Sequence, residues 1–210
     1  MNKTCAFQET EFHGWPLLKI NYPQDVSRLE PHPQPYRRIV VHHAGSVDYT
    51  IEDLIGLHRE KLGWGAIGYH FLIGSAGELY YARDLRFKGA HAYPNTGKIG
   101  ISFLRSFEEK EPNERELATW TTFTKHLTEQ LPIPVVGHNQ DQFLELSKRY
   151  GLVADYPELA QRLLIPKSRE DFEQAKQQLH RLHDTFEYHQ LITKLKTCPG
   201  IGFYRRMPHG

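Results

Sequence analysis

Three residues of this 210-residue chain are of the types from which a metal centre is built, in settings that would hold them still. His42 closes Arg38-Ile39-Val40-Val41-His42, a β-branched run that predicts a buried central strand. His138 closes a second short run, Val135-Val136-Gly137-His138. A side chain at a strand end is anchored by paired backbone while its tip reaches the rim, which suits a preorganised site. Cys198 lies in Lys196-Thr197-Cys198-Pro199-Gly200, a turn in which proline and glycine fix the direction of the thiol. Two imidazoles and one thiolate give Zn²⁺ three ligands and leave a fourth tetrahedral position for water. A single thiolate leaves the ion net positive, so it can still acidify water and polarise a carbonyl. No local spacing announces the set as a CxxC pair would. Ordinary roles stand beside this one: strand-end histidines bonded into the framework, a cysteine filling apolar space, or a cysteine nucleophile paired with a histidine.

Holding these residues together requires a sheet with helices against it, and the order of elements predicts a mixed one. Residues 1–36 carry Pro16, Pro23, Pro31, Pro33 and Pro35 without a sustained period and read as an extended arm wrapping a core. Thr50 and Asp53 form a capping-box signature for a helix with apolar positions Ile51, Leu54, Ile55 and Leu62, stopped by Gly63. Residues 67–73 and 78–82, joined by Gly74-Ser75-Ala76-Gly77, read as a hairpin, and 98–104 as another strand. Asn113 with Glu116 opens a second helix with the stripe Leu117, Trp120, Thr124, Leu127 and Leu131. Within a domain spanning 37–210, residues 139–195 read as a helical insertion packing on itself or on the domain face. Helices are expected around 142–150 and 157–164, then a long one opened by Ser168 and Asp171 with apolar positions Phe172, Ala175, Leu179, Leu182 and Phe186. His180, His183 and His189 on it suit a second metal site or, more commonly, a solvated helix face.

Composition narrows the function classes. With 39% hydrophobic and 24% charged residues, a packed core is expected and wholesale disorder is not. Basic residues number 26 against 25 acidic ones, a formal charge of +1, which offers no global footprint for nucleic acid or anionic lipid. No apolar run approaches the roughly 18 residues of a membrane helix, so membrane insertion is not expected. The N-terminal MNKTCAFQETEFHGW lacks the apolar segment of a signal peptide, so the chain is expected to be made as a soluble cytoplasmic product. Cys5 and Cys198 cannot build a disulfide framework, and the 13 histidines direct attention to metal or proton chemistry.

Five segments in order, VVHHAGS, LGWGAIGYHFLIG, GAHAYPNTGKIGISFL, VVGH and KTCPG, resemble a family of zinc amidases. That family spans phage lysozyme-type amidases, bacterial anhydro-muropeptide amidases and animal peptidoglycan recognition proteins. The resemblance covers residues 38–138 almost continuously and resumes at 194–206. It implies an α/β fold, a mixed central sheet flanked by helices, here with a helical insertion before the last zinc ligand. It also implies a Zn²⁺ at one edge of a groove and hydrolysis of the amide between N-acetylmuramic acid and L-alanine in peptidoglycan.

By position, the resemblance makes His42, His138 and Cys198 the zinc ligands. Tyr69 falls on a tyrosine whose hydroxyl meets the attacking water or the developing oxyanion. Lys196 falls on a lysine that stabilises that oxyanion, its positive charge aimed at a developing negative one. His91 matches a groove-lining histidine, a substrate contact or proton carrier, and Trp64 is either a packing anchor or a sugar platform. His43 is expected to be supporting or structural. His138 and Cys198 stand 60 residues apart, far more than the family's usual pattern, so the insertion must leave the site and return. Closure entropy grows only logarithmically with loop length, so a segment that folds as helices is tolerable. His189, nine residues before Cys198, is the alternative second ligand but lacks the VVGH context.

The leading expectation is therefore a cell-wall hydrolase, an endolysin, an antibacterial effector or a muropeptide-recycling enzyme. It would act on the wall after release or secretion, or on cytoplasmic muropeptides. A non-catalytic peptidoglycan or muropeptide sensor is the competing class; members of that kind typically lose the cysteine. The insertion is also where an immunity or regulatory protein is expected to bind, if one exists, or where a lid would form.

Overall fold

A computed structural model describes residues 5–45, 47–182, 186–193 and 195–206. The chain divides into two units, one of Met1–Ser106 with Pro112–Val135, the other of Phe107–Glu111 with Val136–Gly210.

The first unit is built on a mixed sheet whose strands run in the order β1-β2-β5-β4-β6-β3. β1 (Ala6–Phe12) and β2 (Trp15–Asn21) pair antiparallel with Phe12 opposite Trp15. Their two-residue turn needs positive φ at both positions, which His13 (49°) and Gly14 (81°) supply. Within the segment expected as an arm, residues 6–21 thus form a paired edge hairpin; the polar alternation of FQETEF hides a strand with little apolar surface. β2 then runs parallel to β5 (Leu79–Tyr81), and β5 pairs antiparallel with β4 (Phe71–Ile73). β6 (Lys98–Phe103) lies parallel to both β4 and β3 (Arg38–His43). β7 (Val135–Gly137) lies at the boundary between the two units in the chain.

Both faces of this sheet are covered, and the alternation along β4 shows how. Phe71 points to one face, where it meets Phe123 of α2 (Glu114–Gln130) with ring centroids 4.9 Å apart. Leu72 points to the other, into a cluster with Ile51 and Leu54 of α1 (Ile51–Ile55) and Ile20. Every residue of β6 is buried, as expected of a strand enclosed on two sides. Both predicted capping boxes form: Thr50 with Asp53, and Asn113 with Glu116. On α2 the buried stripe is Trp120, Phe123, Thr124 and Leu127, with Leu117 and Leu131 only half-buried.

Three expectations need correction. Residues 67–70 are not strand, and the backbone groups of Ile67 and the Gly68 N–H are engaged by side chains. The Gly68 N–H donates to His58 Nδ1 at 3.1 Å, and the Ile67 carbonyl accepts from Arg83 Nε at 2.6 Å. The first helix also does not run evenly to Gly63: after Ile55 it widens into a π-helical stretch, Gly56–Lys61. That rotation leaves Leu62, expected inside, 50% exposed. The long helix from Ser168 is in fact two, α6 (Arg169–His180) and α7 (Phe186–Thr193).

The second unit contains these helices together with α3 (His138–Tyr150), α4 (Leu152–Asp155), α5 (Pro157–Leu164) and α8 (Ile201–Arg206). They enclose an apolar cluster of their own that includes Phe143, Leu163, Phe172, Leu179 and Tyr188. Ser168 caps α6 by accepting from the Asp171 N–H, as its spacing predicts. Among the described residues, no helix is long and apolar enough to cross a membrane.

Two stability changes follow. Asn113→Ala removes the cap of α2 and the bond from Asn113 Nδ2 to the Ser75 carbonyl, and should cost about 1–2 kcal/mol in denaturant unfolding. Leu179→Ala, at a fully buried position, should cost about 2–5 kcal/mol. A Leu179→Ala chain as stable as the parent would mean that the second unit has no cooperative core.

Candidate metal centre and groove

In the first unit, His42 projects from the buried end of β3, and four aromatic side chains gather near it. His42 Nε2 lies 3.0 Å from Nδ1 of His91. The Tyr69 ring stands 5.2 Å from the His42 ring and 6.2 Å from that of His91. Trp64 stacks on His58 at 4.6 Å, and His58 in turn lies 5.7 Å from Tyr69. His43, next along β3, is buried.

Arg83 fixes the chain that carries these rings. Its guanidinium is buried and donates to the carbonyls of Ile67 (2.6 Å), Lys88 (2.5 Å) and Ala66 (3.1 Å). Trp64, Arg83 and Lys88 then form walls of a cavity of about 410 Å³, with Tyr93, 84% exposed, at its edge. Trp64 therefore packs against His58, as the anchor reading expects, and also lines this cavity.

In the second unit, His138 is the first residue of α3 rather than the last of a strand, with Gly137 before it as the N-cap. Gly137 is required there, since a Cβ would collide with the Tyr204 hydroxyl. The Gly137 N–H donates to Gln140 Oε1 at 2.7 Å. The next residue, Asn139, donates its backbone N–H to the Cys198 carbonyl at 2.9 Å. Its side-chain amide donates to the Leu163 carbonyl at 2.7 Å, and its Oδ1 accepts from the Tyr204 hydroxyl.

The Cys198 turn is closed by the Gly200 N–H donating to the Thr197 carbonyl at 2.6 Å, and the Thr197 hydroxyl bonds the Glu108 carboxylate. Gly200 has φ +112°, and a Cβ on it would stand 2.5 Å from the Phe107 carbonyl, so this bend accepts glycine alone. These bonds bring His138 and Cys198 to one place: their ligand atoms lie within 4.8 Å of each other. That separation suits two ligands of one small cation, for which metal–ligand bonds of about 2.0–2.3 Å are usual. Cys198 is buried and in no disulfide, and Lys196 is exposed. His189 is instead turned toward His180, their Nδ1 atoms 2.9 Å apart, and His183 lies outside the described residues.

Sequence reasoning passed over His58, His70 and Asn139. His58 had a signal, since it follows Leu54 by four residues and continues the buried helical stripe. His70 and Asn139 had none, because their partners are distant backbone groups. His70 Nδ1 accepts from the Gly100 N–H at 2.9 Å while Nε2 faces the Phe87 carbonyl at 3.0 Å, so it is a fixed neutral tautomer.

Burial and the neighbouring Arg83 cation hold His58 down to about 4, and burial holds His70 down to about 3. Unfolded histidine takes its proton near 6.5, so the unfolded chain binds more protons below that pH. The stability tied to these rings is complete above pH 6.5 and falls away through pH 4 for His58 and pH 3 for His70. His70→Gln should flatten the stability–pH curve between 6.5 and 3, at about 1.4 kcal/mol per pH unit removed. An unchanged slope in acid unfolding would show that His70 does not carry this sensitivity.

A family model described as N-acetylmuramoyl-L-alanine amidase matches residues 32–151. Peptidoglycan-recognition protein SD of Drosophila melanogaster is 32% identical over 116 residues, covering 50% of this chain and 62% of that protein. Mouse peptidoglycan recognition protein 1 is 33% identical over 104 residues, covering 45% of this chain and 57% of that protein. The chain thus spans about three fifths of the length of these relatives. Among solved structures, Drosophila peptidoglycan recognition protein SD matches with a TM-score of 0.51 at 27% identity, covering 57% of this chain and 78% of that one. The endolysin N-acetylmuramoyl-L-alanine amidase LysCS of Clostridium intestinale matches with a TM-score of 0.51 at 26% identity and the same coverages. With more than half of its length inside the family model and a mixed sheet flanked by helices, the chain belongs to the N-acetylmuramoyl-L-alanine amidase family.

Proposed function

We propose that this protein is a zinc-dependent amidase that cleaves the bond between N-acetylmuramic acid and L-alanine in peptidoglycan. The observation that carries the proposal is the pairing of His138 with the buried thiol of Cys198 at donor spacing, in a chain of the amidase family. His42 is proposed as the third ligand, giving the two-nitrogen, one-sulfur set that suits Zn²⁺. A bound Zn²⁺ supplies Lewis acidity toward a carbonyl and toward water.

The chain's own groups do the rest. The Tyr69 hydroxyl donates toward the carbonyl oxygen as it gains charge, and the Lys196 ammonium favours the same negative charge. Trp64 and the cavity wall beside it orient the glycan–peptide junction. The amine leaving on L-alanine needs a proton, and a ring in the His91 position is suited to carry it.

Cys198→Ala should abolish release of stem peptides from purified sacculi and leave less than stoichiometric zinc by elemental analysis. Tyr69→Phe and Lys196→Met should keep zinc and lose about 10²–10³-fold in kcat. Full cleavage by Cys198→Ala sinks the proposal. Zinc-loaded parent protein that binds muropeptide and never cuts it sinks it too, in favour of recognition.

A further inference from the structure

We infer that His91 is a positioning residue that sets the tautomer and orientation of His42, so that His42 offers Nδ1 to a metal; this rests on the zinc reading proposed above. A ligating imidazole must be bare at the nitrogen that faces the ion and carries its proton on the other. Nε2 of His42 is engaged with His91 Nδ1 at 3.0 Å. For His42 to be a ligand, Nε2–H must therefore donate and His91 Nδ1 must accept, with the His91 proton on Nε2. Metal-binding histidines commonly donate their second N–H to an oxygen acceptor. Here a second imidazole takes that place.

His91 is built in to do this. Asn95 Oδ1 accepts from the backbone N–H groups of both His91 and Ala92, each at 2.9 Å, which pins the chain at the ring's root. The ring itself sits in a slot between two glycines. A Cβ on Gly100 would stand 2.5 Å from ring Cδ2 and 2.7 Å from Cγ, and one on Gly89 would stand 2.6 Å from Nε2. Gly100 lies inside β6, where glycine otherwise weakens a strand, so the seat of the ring accounts for it. His70 closes one side edge-on at 5.7 Å. Both of its nitrogens are already engaged with backbone, so it frames His91 without competing for His42.

The test reads zinc affinity and protonation sites, apart from activity. By chelator competition, His91→Leu should weaken Zn²⁺ binding about 10–100-fold. His91→Gln, which keeps an acceptor, should restore most of the loss, and Gly100→Ala, which crowds the ring, should fall between. In long-range ¹H–¹⁵N spectra of the zinc-loaded parent protein, both rings should carry their proton on Nε2. That spectrum needs no variant, so a His91→Leu chain that fails to fold leaves the question decidable. Parent-like zinc affinity in folded His91→Leu, or a His42 ring protonated at Nδ1, overturns the inference while the metal reading stands. Zinc binding that is absent from the parent, or indifferent to Cys198→Ala, overturns both.

Discussion

Asn139 ties the sulfur-bearing turn to the helix that begins at His138. Its backbone N–H holds the Cys198 carbonyl, and its side chain bonds the Leu163 carbonyl on one side and the Tyr204 hydroxyl on the other. All of these groups are buried or nearly so, and a buried polar group left without its partner is costly, so the arrangement is all-or-none. Residues 60 apart in sequence are held as neighbours by one amide. The glycines at 137 and 200 are part of the same constraint, because each lets backbone approach where any side chain would collide.

The long excursion between His138 and Cys198 is affordable because it folds upon itself. Closing a loop costs little more as it lengthens, whereas ordering its residues costs in proportion to their number. The cluster around Phe172, Leu179 and Tyr188 offsets that ordering cost locally, so the excursion need not be stabilised by the turn it returns to.

The histidines divide by environment. His58 and His70 are kept neutral by burial and spend a bare ring nitrogen on a backbone N–H, which makes them framework for the segment that carries Tyr69. His42 and His91 face each other through ring nitrogens instead. In the proposed centre, that contact would decide which nitrogen of His42 is bare toward a metal. Arg83 supports both sets by absorbing the carbonyls of Ala66 and Ile67, which no strand partner takes up.

Much of this was legible in the chain. Short-range chemistry was determined by sequence: the two capping boxes, the Gly74–Gly77 turn, the β-branched strands, and the residue types able to hold a metal. These depend on contacts within a few residues, so their signals lie in neighbouring letters. The edge hairpin was obscured because β1 buries almost nothing, and the split of α6 from α7 because the apolar stripe of one runs into the next. Only tertiary structure decided that Ile67 and the Gly68 N–H give their backbone groups to side chains, that a π-helical stretch turns Leu62 outward, and that Asn139 brackets the cysteine turn. Each of these depends on partners tens of residues away, and a single chain of letters carries no record of which distant groups will meet.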